Sequence, residues 1–213
     1  MTGNDIKNIM VSAAFVVPTS SLDGWKELQF NKIPKNTVSV VNHNSLKVEV
    51  KDSASPLIYK LPDVVTTKSV EFTYDLVSQE ALNFSKGKSS TFPEDFILRI
   101  GLVAKGEKLL GWLQKKIAAQ WVLELFSLAP KDVGLDKIYF HNIALSQQQV
   151  GSYRVHPKSD LMNEEIIGSF PENKKVNHIL KKPIDVVAIW ISIDGDDTKS
   201  SFVTEINELK LIQ

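Results

Sequence analysis

The chain has 213 residues, of which 43% are hydrophobic and 23% are charged, an ordinary composition for a globular protein with one large β domain or two small ones. Its 25 Lys and Arg residues balance its 25 Asp and Glu residues, so no overall field draws it to nucleic acid or to an anionic membrane. The absence of cysteine excludes disulfides, thiolate metal sites and cysteine nucleophiles. No apolar run approaches the roughly 18–20 residues that a membrane span needs.

The first apolar run, residues 9–17, has two interpretations. Its length suits the hydrophobic region of a short signal peptide. However, Asp5 offsets the charge of Lys7 before it, and no small-residue cleavage site follows. We therefore expect a first strand here. A chain without cysteine suits the cytosol and the periplasm alike, so composition leaves the compartment open.

Apolar and polar residues alternate over residues 46–51 and 70–76, which predicts strands with one face on a core and one in water. Residues 96–103 and 138–145 are apolar on both faces, which predicts central strands. Weaker strands are predicted between turn-forming residues at 25–30, 37–41 and 57–61.

Residues 106–127 fit both a helix and a strand. Leu109, Leu113 and Ile117 lie four apart, as on one face of a helix, but the following apolar run also suits a buried strand. We predict a helix over about 107–118 and then a strand over about 120–127.

Elsewhere, short helices are predicted around 161–167 and 174–181. The segment 78–93 is polar and contains turn-forming residues such as Gly87 and Pro93, which predicts a long loop.

Two strand-like runs, 184–193 and 202–212, end the chain. The first reads as a central strand, and the second as its neighbour with a bulge near Asn207 and Glu208, where the alternation of apolar residues shifts by one. Strands at short intervals without intervening helices favour an antiparallel sheet arrangement. We therefore predict a mainly β fold, a single antiparallel jelly-roll-like β-sandwich over 1–213, with a few short helices and a helical insertion at about 106–118.

The acidic loop between these two strands is the first candidate site. Asp194, Asp196 and Asp197 lie within four residues, beside the hydroxyl of Thr198. Calcium takes several oxygen ligands, and such a loop supplies two or three of them. The four residues are therefore the predicted metal ligands and calcium the candidate cofactor. A solvated turn is the alternative, because Asp and Gly are common turn residues.

Three further residues are candidate ligand contacts. Arg99 lies on a predicted buried strand and needs a carboxylate partner, and Asp95 opens the same strand. Trp25 follows a turn, so it could lie at a rim and stack on a sugar. The alternatives are a structural ion pair for the charged residues and core packing for Trp25. No nucleophile elbow, phosphate-binding loop or paired-histidine spacing occurs.

The segment 105–118 combines four lysines with five large apolar residues. This composition suits an interfacial helix that contacts a membrane or a partner protein. The alternative is an ordinary helix that covers an open end of the sandwich.

Several short stretches together resemble the bacterial domain-of-unknown-function 3047 family: residues 22–30 (LDGWKELQF), 53–57 (SASPL), 91–100 (TFPEDFILRI) and 186–198 (VVAIWISIDGDDT). The chain departs from the family pattern at Pro56, Glu94 and Asp197. The resemblance implies a jelly-roll-like sandwich in the bacterial envelope, periplasmic or secreted with its signal peptide absent or removed. A cytoplasmic location is also compatible with the sequence. The resemblance implies no known activity.

The leading functional expectation is a non-catalytic module that binds a small molecule or a glycan. The first alternative is a hydrolase or lyase that acts on a polysaccharide, which requires two ionisable groups in one groove. The second is a module that docks on a protein partner through the 105–118 helix. Neither nucleic acid nor a membrane span is expected.

Overall fold

The structure, a computed structural model, describes residues 13–82, 92–131 and 133–213. It confirms the mainly β prediction, with eleven strands and two short helices in this part of the chain. The elements are β1 Ala14–Val16, β2 Trp25–Glu27, β3 Thr37–Val41, β4 Ser45–Lys51, β5 Leu57–Ala81, β6 Leu98–Gly106, α1 Trp112–Ile117, α2 Gln120–Ser127, β7 Gly134–Ala144, β8 Tyr153–Val155, β9 Met162–Ser169, β10 Lys175–Ser192 and β11 Ser201–Ile212.

The strands form one continuous sheet in the order β3-β4-β11-β5-β10-β6-β7-β9-β8, with β1 beside β11 and β2 beside β5. Every pairing is antiparallel except that of β7 with β9, so the prediction of a fully antiparallel arrangement is wrong there. A parallel pair needs a long connection. Here the chain passes through a single 3-10 turn, Gln147–Gln149, and through β8, which pairs with the outer edge of β9.

The longest strand, β5, curves the sheet around its largest core. Ile191 on β10 pairs with Leu57 at the start of β5, whereas Ser201 on β11 pairs with Ala81 at its end. A straight strand of the length of β5 would span about 80 Å. The chain between Ile191 and Ser201 can reach at most about 36 Å. β5 must therefore curve until its two ends approach each other.

Apolar side chains from both ends of the sheet meet inside this curve. Residues of β4 and β11, such as Val48 and Phe202, share one core with Leu98 and Ile100 of β6. The side chain of Thr204 on β11 donates a hydrogen bond of 3.0 Å to the backbone carbonyl of Ile97, although β5 and β10 separate the two strands in the sheet. The sheet thus curves until strands that are not neighbours share one core; the jelly-roll-like sandwich stays a prediction.

The C-terminal prediction is confirmed in part. The strand predicted over 184–193 is central, because β10 lies between β5 and β6. The predicted bulge is present, since the pairing of β11 with β5 shifts between Ile206 and Glu208. However, β11 is not the neighbour of β10. β5 lies between them, because its length lets it pair with both.

A helical insertion is predicted over about 106–118, and the structure has two short helices, Trp112–Ile117 and Gln120–Ser127. α1 starts only at Trp112, and the strand predicted over 120–127 is wrong because this segment forms α2. The apolar run fits both periods, and tertiary packing decides: Trp121 and Leu125, one helical turn apart, both pack against the apolar cluster on the outer face of β6 and β7.

The helices predicted around 161–167 and 174–181 are also wrong, because these residues lie in β9 and β10. In β10, Val176 and Leu180 are buried on alternate positions as in any strand. In β9, the buried position between Met162 and Ile166 is taken by the charged Glu164, which hides the period of two.

Two sequence predictions fall partly outside the described residues. The strand predicted over 9–17 is seen only as β1, and the loop predicted over 78–93 includes 83–91, while β5 continues to Ala81. No helix in the described part of the chain is long and apolar enough to cross a membrane.

Candidate functional site

A cavity of about 410 Å³ opens on the outer face of the layer that contains β10, β6, β7 and β9. Its size lies in the range of small-molecule sites. Its lining has an aromatic and apolar part and a charged part. The lining residues are Phe30, Ile33, Ala54, Pro56, Glu94, Arg99, Trp121, Phe140, His156, Lys158, Met162, Trp190, Ser192, Asp194, Asp196 and Asp197.

Gly101 allows two aromatic residues to come close together on this face. It lies on β6 between Phe140 of β7 and Trp190 of β10. A Cβ atom at this position would lie 2.8 Å from Cε1 of Phe140 and 2.8 Å from the backbone oxygen of Trp190. Any side chain would therefore push apart the aromatic part of the lining, which explains why glycine interrupts an otherwise apolar strand.

Arg99 is the buried cation of the site. Its Nη1 donates a hydrogen bond of 3.0 Å to Oδ2 of Asp194, and its Nη2 donates to Oε1 of Glu164. The guanidinium also lies 4.6 Å from the ring centroid of Phe140 and 5.2 Å from that of Phe96. Burial lowers the pKa of Arg99, but the adjacent Asp194 and Glu164 outweigh burial and raise it, so the guanidinium stays charged.

Glu164 joins this cation to a second one. Its side chain is fully buried, and its Oε2 accepts a hydrogen bond of 2.5 Å from Nε of Arg154. Arg154 in turn lies 3.8 Å from Oε1 of Glu94, at the edge of the cavity. Alternating charges thus run from Asp194 through Arg99, Glu164 and Arg154 to Glu94, and each buried charge has an opposite neighbour.

The acidic loop is held in place by Asp95. Oδ2 of Asp95 accepts hydrogen bonds from the backbone N of Thr198 at 2.8 Å and from its hydroxyl at 2.5 Å. The backbone N of Gly195 donates to the carbonyl of Ser53 at 3.1 Å. These bonds fix both ends of the loop, so Asp194, Asp196 and Asp197 have defined positions at the cavity.

Three polar atoms near the cavity are buried and have no hydrogen-bond partner among the described residues. They are Nε of Arg99, Oδ1 of Asp194 and Oδ1 of Asp95. Buried polar atoms are rarely left unpaired, and the exceptions often mark functional sites. Arg99 and Asp194 line the cavity through other atoms, because these unpaired atoms themselves have almost no exposed surface.

Burial also changes the acidity of the carboxyl groups. It raises the pKa of Asp194 to about 7, against the opposing effect of Arg99. It raises the pKa of Asp196 to about 6, with a further contribution from the charge of Asp95. Burial lowers the pKa of His156, so this imidazole is neutral at pH 7.

The structure brings together some of the predicted site residues and not others. Arg99 lines the cavity with Asp194, Asp196 and Asp197. Asp95 is buried behind the acidic loop and is not the partner of Arg99. Trp25 does not line this cavity, and its contact with a ligand stays a prediction. Trp25 packs on Tyr59, with 5.3 Å between ring centroids, and its indole N–H donates to the carbonyl of Pro18 at 2.8 Å.

The geometry gives the calcium prediction no support. Within residues 13–82, 92–131 and 133–213, no group of three or more His, Asp or Glu side chains is placed to hold a metal ion. Asp194 is bound to Arg99 and Thr198 to Asp95, so two of the four predicted ligands have protein partners. Calcium binding by Asp194, Asp196, Asp197 and Thr198 stays a prediction.

Several residues of the site are not predicted from the sequence. Trp121, Phe140 and Trp190 lie in apolar runs that predict buried strands, yet they line the cavity. Glu164 lies in a segment predicted as a helix and binds Arg99. A signal for Glu164 does exist, because it alternates with Met162 and Ile166 as residues on one face of a strand do. No sequence signal distinguishes a tryptophan on the outer face of a buried strand from one on the inner face.

We predict that Arg99→Met lowers the free energy of unfolding by about 3–5 kcal/mol, because it leaves Asp194 and Glu164 buried without their shared cation. Arg99→Lys should fall between this variant and the original protein, since an ammonium cannot hold both carboxylates in the same geometry. Urea unfolding followed by circular dichroism measures the difference.

The matched control is Lys174→Met, which removes an exposed ion pair with Asp75. It should change stability by less than about 1 kcal/mol. Equal effects of Lys174→Met and Arg99→Met would contradict the central role of Arg99.

We also predict that Asp196→Asn makes stability less dependent on pH. The folded protein raises the pKa of Asp196 from 3.8 to about 6, so it favours the neutral carboxyl. This group therefore destabilises the original protein progressively as pH rises from about 4 to 6, by about 1–3 kcal/mol in total. Urea midpoints at both pH values should show a smaller fall for Asp196→Asn, whereas Asp23→Asn, in the exposed turn before β2, should behave like the original protein.

No protein-family model matches this chain, and no curated protein matches it. The resemblance described from the short sequence stretches therefore stays a prediction. Function has to be argued from the cavity itself.

Proposed function

We propose that the protein is a non-catalytic ligand-binding module whose cavity takes a glycan or another hydroxyl-rich small molecule. The observation that carries the proposal is that Trp121, Trp190 and Phe140 line the same cavity as the carboxyl groups of the acidic loop. A sugar ring has apolar C–H faces and a rim of hydroxyl groups. Aromatic surfaces suit the faces, and carboxylates accept hydrogen bonds from the hydroxyls.

The accessible carboxyl groups of the lining favour a ligand that donates hydrogen bonds. Asp196 is half-buried and Asp197 is exposed, and both line the cavity. Their oxygens accept hydrogen bonds, so the hydroxyl groups of a ligand suit them. Oδ1 of Asp194 and Nε of Arg99 also lack partners, but both atoms are enclosed by the protein and have almost no exposed surface.

The charge of the lining disfavours an anionic ligand. Glu94, Asp194, Asp196 and Asp197 contribute carboxyl groups, whereas only Arg99 and Lys158 contribute permanent cations. Arg99 is already bound to two carboxylates. A neutral polyol meets no repulsion in such a site. Under the family resemblance, the ligand would be a glycan of the bacterial envelope.

The test is a screen of neutral and acidic oligosaccharides, including fragments of bacterial envelope glycans, followed by calorimetry of any that bind. We expect a neutral oligosaccharide to bind, and Trp121→Ala to weaken its binding about two- to tenfold, since a well-oriented aromatic contact contributes about 0.5–1.5 kcal/mol. The matched control is Trp112→Ala, because Trp112 lies on α1 outside the cavity lining.

Equal binding by Trp121→Ala, or no binding by any oligosaccharide, would contradict the proposal. Calcium is included as a separate arm. A cation that binds only the folded protein must raise the melting temperature, so an unchanged melting temperature at millimolar calcium would remove the calcium prediction.

A polysaccharide hydrolase is the second candidate, and one observation favours it. Two carboxyl groups of the same cavity, Asp194 and Asp196, have pKa values raised to about 7 and about 6. General acid–base catalysis works best with groups that titrate near the working pH. Unlike a binding module, a hydrolase would release new reducing ends from a polysaccharide.

Incubation with a panel of polysaccharides and measurement of reducing ends separates the two candidates. If the protein is a hydrolase, Asp196→Asn should lower kcat by about 100-fold or more, and Lys174→Met should leave it unchanged. Binding without any release of reducing ends would support the binding module alone.

A further inference from the structure

The helix α1 and the residues just before it expose an unusual amount of apolar surface. Leu109, Trp112, Leu113 and Ile117 have exposed fractions of 66%, 72%, 58% and 79%, and no residue of α1 is buried. Scattered exposed apolar residues are normal on a protein surface, but four large ones within nine positions form a patch. We call these four residues the α1 apolar surface.

The segment that carries the α1 apolar surface is attached to the rest of the fold on both sides. Before α1, the backbone of Lys108 exchanges two hydrogen bonds of 3.0 Å with the backbone of Leu135, at the start of β7. After α1, the helix α2 packs on the sheet through the fully buried Leu125. Both ends of the segment are therefore attached to the sheet while α1 itself contacts no core.

Lysines surround the α1 apolar surface. Residues 105–118 contain four lysines and one acidic residue, Glu107. Lys108 is partly neutralised by Asp136, whose carboxylate lies 3.6 Å from its Nζ. Lys105, Lys115 and Lys116 are exposed, and Nζ of Lys116 lies 4.7 Å from the ring centroid of Trp112. The excess is local, because the whole chain has no net charge.

We propose that the α1 apolar surface docks on an anionic membrane surface. Trp112, Leu113 and Ile117 would enter the boundary between headgroups and acyl chains, where tryptophan is favoured. The exposed lysines would contact the anionic headgroups. The charge pattern favours this occupant over a second copy of the chain, because two copies would bring like-charged lysines together.

Docking of this kind would hold the cavity near the membrane. Trp121, which lines the cavity, follows Ile117 by four residues and lies on the next helix. A ligand in the cavity would then be taken up at the membrane surface.

Flotation with lipid vesicles tests the proposal. The full chain should float with phosphatidylcholine vesicles that contain about 30% phosphatidylglycerol, and much less with pure phosphatidylcholine vesicles. Binding should fall as salt rises to about 0.5 M, because salt screens the lysines. The double variant Leu113→Ser/Ile117→Ser should bind at least about tenfold more weakly, since it removes two inserted apolar side chains.

The matched control is Ile179→Ser, which changes a residue on β10 that is as exposed as Ile117. This variant should float like the original protein, and thermal unfolding should show that all variants are folded. A second double variant, Lys115→Gln/Lys116→Gln, should bind anionic vesicles more weakly. Its weak binding to pure phosphatidylcholine vesicles should not change.

Three results would overturn the proposal. The first is no flotation with anionic vesicles at low salt. The second is equal flotation of the Leu113→Ser/Ile117→Ser variant. The third is a dimer in sedimentation velocity that this double variant abolishes, because the α1 apolar surface would then be an interface between two copies of the chain.

Discussion

The buried cation Arg99 is the interaction on which the site depends. It lies on β6 and binds Glu164 of β9 and Asp194, which follows β10, so one side chain links three parts of the sheet. Burying three charges is costly, and the arrangement is stable only because each charge has an opposite neighbour and hydrogen bonds. The same constraint shapes the cavity. Since Asp194 is held by Arg99, the acidic loop is fixed beside the aromatic part of the cavity lining.

The aromatic part and the charged part of the cavity lining meet because of the alternation of side chains along the strands. Successive residues of a strand point to opposite faces, so Trp190 and Ser192 of β10 lie on the outer face while Ile189 and Ile191 fill the core between the layers. The central layer is thus apolar on both faces, and its outer face is covered in part by α2. Where that cover ends, the aromatic residues remain in the cavity beside the charged loop. A site of this composition suits a ligand with apolar faces and hydroxyl groups.

Local patterns succeeded where each residue type matched its environment. The strands at 46–51 and 138–145 were predictable because polar residues pointed outward or apolar residues filled both faces. These local patterns failed at Glu164, where a charge occupies a buried strand position, and at 120–127, where the apolar run fits both a helix and a strand. The candidate site was half predictable. The acidic loop and Arg99 stood out by composition, whereas Trp121 and Phe140 looked like ordinary core residues.

The sequence by itself determined the β-rich fold, the central position of the last long apolar strand, the bulge in the strand that follows and the unusual chemistry of the acidic loop. Each of these depends on side chains close together along the chain. Only the tertiary structure decided that Arg99 pairs with Glu164 and Asp194, 65 and 95 residues away, and that Asp95 holds the loop. The physical reason is the strand order β10-β6-β7-β9, which places these distant segments side by side through strand pairing that leaves no local trace in the sequence.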